Sequence, residues 1–114
     1  MNEIDRYRIF IRDMFTCQNC GKRFSGWQGK LQIAHRIKQG EGTIDWIEGE
    51  LEKRSCTRSR KWIQDNIIDH PDNTVTACSL ACNDSFNLFY NRIEADKLLD
   101  KILNNVLIKQ KAEV

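Results

Sequence analysis

Two short-spaced cysteine pairs, Cys17-Gln18-Asn19-Cys20 and Cys78-Ser79-Leu80-Ala81-Cys82, constrain this chain more than any other feature of its sequence. If the four sulfurs meet, the residues between the pairs are closed into one long loop. The cysteine total is five, and the opening residues MNEIDRYRIF mix charges of both signs where a secretion signal would be apolar. An odd count without such a signal argues against a disulfide framework and for metal binding. Zinc takes four such ligands in a tetrahedron, and Cys17, Cys20, Cys78 and Cys82 are the natural set. The plainer alternative is that they are buried small apolar residues, as free cysteines often are. Cys56, alone beside a basic run, reads as a spare thiol.

A length of 114 residues is one domain's worth of chain, so residues 1–114 are read as a single domain. Charged residues make up 30%, and no apolar run approaches the ~20 residues of a membrane-spanning helix. A cytoplasmic protein with no membrane partner is expected. With 18 Lys+Arg against 16 Asp+Glu, the net charge of +2 identifies no polyanion partner, so local charge must carry that question.

Along the chain, Ile4, Tyr7, Ile11, Met14 and Phe15 recur at helical spacing and predict an amphipathic helix over residues 2–15. The glycine-rich stretch Gly21–Gly29 predicts loop or ribbon, and Leu31–His35 a short strand ending at His35. Charge then divides sharply: from Gln39 to Glu52 there are acids and no base, whereas Lys53, Arg54, Arg58, Arg60 and Lys61 follow without an acid among them. Ser55–Asp69 reads as a helix ended by His70-Pro71. Asn73–Ala77 reads as a second strand, and Ser79 as the cap of a helix running through Phe86, Leu88 and Phe89. The stretch 91–114 reads as an amphipathic C-terminal helix with Ile93, Leu98, Leu99, Ile102, Leu103, Val106 and Leu107 as its apolar residues and Lys109 and Lys111 near its end.

Cys17-Gln18-Asn19-Cys20-Gly21, then Leu31-Gln32-Ile33-Ala34-His35-Arg36-Ile37, then Asn73-Thr74-Val75-Thr76-Ala77-Cys78-Ser79-Leu80-Ala81-Cys82-Asn83 follow one another in an order that resembles the HNH endonucleases. The likeness is to the small zinc-ribbon enzymes of phages and prophages, many of which nick DNA. It covers about residues 5–90, with a segment between His35 and Asn73 that is long for the family. The resemblance implies an α+β fold, a ββα-metal (His-Me finger) unit with a four-cysteine zinc knuckle and flanking helices. It implies His35 as general base, Asn73 as the residue that pins the loop after it, and Asn83 as a ligand of the catalytic ion, so that the signature here is HNN. An amide oxygen suits a hard ion, which favours Mg²⁺ or Mn²⁺. Where the family has an acidic or histidine ligand before the base, this chain has Ala34. Asn87, four residues after Asn83 on the predicted helix, is a candidate second ligand, with Asp84, His70 or Asp72 as replacements for the missing one.

Phosphodiester hydrolysis needs an activated water and positive charge at the phosphorane and leaving oxygen, and a histidine with one divalent ion can divide that work. Histidine is the side chain suited to exchange a proton near neutral pH, provided its second nitrogen has an acceptor; in the family that acceptor is a loop carbonyl. Lys53, Arg54, Arg58, Arg60 and Lys61, with Arg36, are candidate contacts to double-stranded DNA, and Arg6, Arg8, Arg12, Lys22, Arg23 and Lys38 extend the list. The same cluster also reads as a solvated face neutralised by Glu48, Glu50 and Glu52. The expectation is a metal-dependent DNA endonuclease of a bacterial or phage-infected cell, nicking one strand per binding event. The C-terminal helix packs on its own domain or, alternatively, on a twin in a homodimer. The rivals are a zinc-ribbon DNA-binding module without catalysis, for which Ala34 speaks, and an adaptor contacting phage terminase or packaging proteins.

Overall fold

The computed structural model describes residues 1–26, 30–88 and 91–112; Trp27–Gly29, Phe89 and residues 113–114, each part of an element expected above, lie outside them. Its only sheet among these residues has two strands. β1 (Gln32–His35) and β2 (Thr74–Ala77) pair antiparallel, Ala34 opposite Val75 and His35 opposite Thr74. Both strands fall where the β-rich runs predict them, with Asn73 left just outside β2. The other elements are helices: α1 (Glu3–Arg12), α2 (Glu41–Lys53), α3 (Arg60–Ile63), α4 (Leu80–Ser85) and α5 (Arg92–Ala112). The architecture is a small α+β fold.

Side chains alternate across a sheet, so Ala34, Val75 and Ala77 share one face. There Ala34 and Ala77 are fully buried with Cys17 and Cys82, while Val75, Cys78 and Phe86 pack against them. Small residues let α4 lie close on both strands. The Ser79 Oγ accepts from the Cys82 N–H (3.1 Å) and starts that helix, as its N-cap position predicts.

A two-stranded sheet leaves exposed edges, and here the outer edge of β2 is covered. Arg12 donates to the carbonyls of Pro71 and Thr74 (2.7 Å each), Asp13 accepts from the Thr76 N–H (2.9 Å), and the Gln18 N–H reaches the Thr76 carbonyl (3.0 Å). These bonds decide which side of α1 faces inward. Ile9 and Phe10 are buried, whereas Ile4, Tyr7, Ile11 and Met14, the face expected to be buried, are exposed. The helix also stops at Arg12, with Met14 and Phe15 in left-handed backbone (φ 57° and 53°) as the chain turns toward Cys17.

The long segment between the strands builds the larger core. Gln39–Glu52, recognised in sequence only by its acids, is mostly helix α2, and it buries Ile47 and Leu51 against Ile63, Ile67 and Ile68. The expected helix over Ser55–Asp69 begins only at Arg60, because Ser59 caps it by accepting from the Trp62 N–H (3.0 Å). From Gln64 to Ile68 it widens into a π-helical turn, which closes with Asp69 N–H on the Gln64 carbonyl (2.9 Å). α5 closes this core with Leu99, Ile102 and Leu103, and Leu98, Val106 and Leu107 pack against it, so that apolar side is used within its own chain, whereas Ile93 in the first turn is exposed. Among the described residues no helix is long and apolar enough to cross a membrane.

Burial by itself would raise the Asp13 pKa, but Arg12 and the Thr76 N–H outweigh it and hold the carboxyl below its ordinary value. A depressed native pKa gives stability that is present above the unfolded value, about 3.9, and lost as pH falls through the native one. Asp13→Asn is therefore expected to cost about 1–2 kcal/mol at pH 7, with the gap from wild type closing on acidification, as read by urea unfolding at several pH values.

Candidate functional site

The first cysteine pair sits in a knuckle built from its own backbone. The Cys17 N–H bonds to the Lys22 carbonyl and the Gly21 N–H to the Cys17 carbonyl (2.9 Å each). Gly21 takes φ +79°, a conformation that costs glycine little and other residues about 1 kcal/mol or more. The second pair comes from the end of β2 and the first turn of α4. All four Sγ atoms lie within 4.8 Å of one another, with Cys20 and Cys78 at 3.5 Å and Cys78 and Cys82 at 3.8 Å. Tetrahedral zinc–thiolate bonds of about 2.3 Å would put the sulfurs roughly 3.8 Å apart, whereas a disulfide needs about 2.05 Å. These cysteines are thus positioned to hold a metal ion such as zinc. Cys56 packs against the larger core instead.

The electrostatics agree with a thiolate site. Burial opposes ionisation of Cys17, yet backbone N–H groups of Cys20, Asn19 and Cys78 bring its pKa down to about 6. The Asn19 amide, 3.4 Å from the Cys82 sulfur, lowers that thiol as well. Cys78, hydrogen-bonded to Cys20 and deprived of solvent, is pushed up to about 12. Four crowded sulfurs cannot all ionise without a cation to offset their charge.

His35 ends β1 and, by alternation, projects away from the Ala34 face. Its Nε2 lies 2.9 Å from Asp69 Oδ1, and both side chains are largely buried, 11% and 8% exposed. Gln64 Nε2 donates to the same oxygen (3.2 Å), and the Met1 ammonium stands 3.4 Å from Oδ2. A carboxylate can only accept, so neutral His35 carries its proton on Nε2 and leaves Nδ1 as the basic nitrogen. Among the described residues Nδ1 has no hydrogen-bond partner. The acceptor expected from the resemblance was a loop carbonyl; a loop carboxylate fills that role.

Asn73 is fully buried. Its Oδ1 accepts from the Ile37 N–H (2.7 Å), and its Nδ2 donates to the carbonyls of Ile37 (3.0 Å) and Ile68 (2.8 Å). Its own carbonyl takes the Arg36 N–H (2.8 Å). The segment after His35 is pinned by one side chain.

The proposed catalytic-ion ligands are less well gathered. Asn83 Nδ2 donates to Gln32 Oε1 (3.2 Å) and the Ile33 carbonyl (3.4 Å), on the α4 side of the hairpin. Asn87 does not share its helix face. α4 ends at Ser85, the chain tightens as Phe86 and Asn87 N–H bond to the Asn83 and Asp84 carbonyls, and the Leu88 N–H is taken by Arg36 (2.9 Å). Asn87 therefore lies past the helix that was expected to carry it. The Nδ1 of His70 accepts from the Asp72 N–H (3.0 Å), Asp72 lies 3.7 Å from Lys101, and Asp84 is exposed. Ala34 is fully buried. Among the described residues, only the four cysteines form a group of three or more His, Cys, Asp or Glu side chains placed to hold a metal.

Most of the basic cluster is paired with acids. Arg60 pairs with Asp45 (2.8 Å), Glu48 (2.9 Å) and Glu41 (3.6 Å), Arg54 with Asp100 and Glu50, Lys53 with Glu50 (3.0 Å), and Lys61 with Asp65 (2.9 Å). Arg58 lies over the Trp62 ring, 5.2 Å from its centroid. Arg60 joins the segment after α2 to the acids of that helix, whereas Lys53 and Arg54 meet Glu50 one turn away, Lys61 meets Asp65 within its own helical stretch and Arg54 also reaches Asp100 of α5. Arg36 is half-buried beside His35 and forms no ion pair among the described residues.

Sequence reasoning missed Asp69. Its one local signal is an acid at the close of a helical pattern, and nothing in that pattern says that it reaches a histidine 34 residues away. Comparison of the chain with protein-family models, with curated proteins and with solved structures finds no significant match.

Titration with Co²⁺ under reducing conditions is expected to give one tetrahedral thiolate–cobalt spectrum per chain. The spectrum should be lost in Cys20→Ser, and apparent affinity should rise with pH because binding displaces thiol protons. An unchanged spectrum in Cys20→Ser would remove that residue from the ligand set.

Proposed function

We propose that the chain is a metal-dependent DNA endonuclease that nicks one strand, with zinc held by Cys17, Cys20, Cys78 and Cys82 as a structural ion. The observation that carries this reading is the His35–Asp69 pair at the end of β1, with the following segment clamped by Asn73. A general base must present one lone pair in a fixed direction, and Asp69 selects the tautomer that leaves it on Nδ1. The strand–strand–helix order and the cysteine frame beside it support the same reading.

In this scheme His35 takes a proton from the attacking water at Nδ1, and Asp69 stabilises the resulting imidazolium without accepting the proton. Asn73 keeps the histidine's strand end from shifting. Of the expected ligands, Asn83 with exposed Asp84 beside it would hold Mg²⁺ or Mn²⁺, whose chemistry would be Lewis-acid stabilisation of the phosphate; both belong to α4, on the side of the hairpin away from the face that His35 occupies. Arg36 is the nearest cation in sequence for the DNA backbone.

A second reading has its own observation. Position 34 is a fully buried alanine, and no group of three or more His, Cys, Asp or Glu besides the four cysteines is placed to hold a metal among the described residues, which favours a zinc-ribbon DNA-binding module without catalysis.

The test is conversion of supercoiled plasmid to open circle with Mn²⁺ or Mg²⁺. His35→Ala is expected to lower the rate at least ~10²-fold, and Asp69→Asn to lower kcat by a similar factor with little change in KM, because an amide can hold the wrong tautomer. Both variants should retain one zinc per chain. DNA binding without nicking under either ion would select the second reading.

A further inference from the structure

A cavity of about 320 Å³ opens where the chain leaves β1, between the turn into α2 and the start of α5. Ile37, Leu88 and Ala95 give it apolar walls, with Ile37 and Ala95 almost fully buried. Trp46 lines it as well, and the Arg92 guanidinium lies 4.3 Å from the centroid of that ring. Exposed Lys38 stands at its rim, and none of the described lining residues is acidic. Arg92 is shared with Asp96 at 3.1 Å, an exposed pair of the kind worth little in water.

The start of α2 adds directed donors. Gly40 occupies the cap position and so supplies no side-chain acceptor to the first-turn N–H groups, and Gly40 and Gly42 both line the cavity. The one acid of that turn, Glu41, is drawn toward Arg60 (3.6 Å). The Trp46 indole nitrogen is itself buried and has no hydrogen-bond partner among the described residues. Apolar walls, an aromatic ring, two cations and a helix start together match a flat aromatic group carrying a phosphate.

We propose that this cavity is a nucleotide subsite, taking one base of a DNA strand between its apolar walls and the adjoining phosphate at Lys38 and the α2 start. The assignment to a DNA strand rests on the endonuclease reading; nucleotide binding itself does not. Ile37 lies two residues beyond His35, at most about 7 Å of extended chain, and Asn73 fixes that segment. A strand cut at His35 would thus place a nucleotide close to the scissile bond in the cavity.

Gly42 provides a test that spares the fold. A Cβ at position 42 meets nothing within 4 Å, and a glutamate in the first turn of a helix is favourable to the helix but repels an anion. The zinc-loaded protein, without added Mg²⁺ or Mn²⁺, is titrated with thymidine 5′-monophosphate while the Trp46 indole and the amides of residues 40–43 are followed by NMR. Saturable shifts are expected, with thymidine and inorganic phosphate each binding at least tenfold more weakly. Gly42→Glu should weaken nucleotide binding tenfold or more while its Tm is not lowered. Absent shifts, or equal affinity in Gly42→Glu, would overturn the subsite whether or not the protein nicks plasmid. Binding that Gly42→Glu weakens, in a protein that never nicks, would keep the nucleotide site and remove only its catalytic context.

Discussion

One buried amide holds the two halves of this protein together. Asn73 bonds to both backbone groups of Ile37, where the chain leaves β1, and to the Ile68 carbonyl, where the π-helical turn ends. On one side lies the small core of cysteines and alanines under α4; on the other lies the isoleucine- and leucine-rich core of α2, α3 and α5. A hydrophobic residue at 73 would leave several buried backbone groups unpaired, at about 1–3 kcal/mol each. The side chain thus fixes the register between a hairpin and the long segment inserted into it, and with it the position of His35.

The cysteine cluster and the histidine pair rest on that register in different ways. The sulfurs converge because the knuckle at Cys17–Gly21 is bonded to the edge of β2 through Gln18, and because β2 leads directly into the capped helix that carries Cys82. The His35–Asp69 pair instead depends on the π-helical turn, whose extra residue per hydrogen bond sets where Asp69 emerges. One site follows from local geometry at two points. The other requires the whole insertion to fold.

Charge behaves in the same divided way. Arg60 of α3 is partnered by acids of α2, and Lys53, Arg54 and Lys61 by acids one turn away or in α5, so the cluster that seemed most suited to DNA is largely balanced. Arg36 and Lys38, named among the candidate DNA contacts, and Arg92, which the sequence did not single out, lie by His35 or the cavity beside it. Exposed ion pairs contribute little stability, so this pairing matters more for where an anion is welcomed than for how firmly the fold is held.

Short-range rules made several features legible: alternation marked both strands, Ser79 marked the start of α4, the C-terminal periodicity marked α5, and the cysteine spacing marked a metal knuckle. Each depends on residues only a few positions apart. The inward side of α1 was not legible, because it carries apolar residues on two faces and the choice was made by Arg12 and Asp13 bonding to β2. The end of α4 was hidden for a similar reason, since Arg36 captures the Leu88 N–H and draws the chain away, taking Asn87 off the helix. Sequence alone determined which residues could bind metal, end a strand or cap a helix, since those capacities belong to single side chains and their neighbours. Tertiary structure decided that His35 would face Asp69, that Arg60 would meet the acids of α2 and Arg54 would meet Asp100 of α5, and that a cavity would open beside β1, because each joins segments whose separation in the chain leaves no local trace.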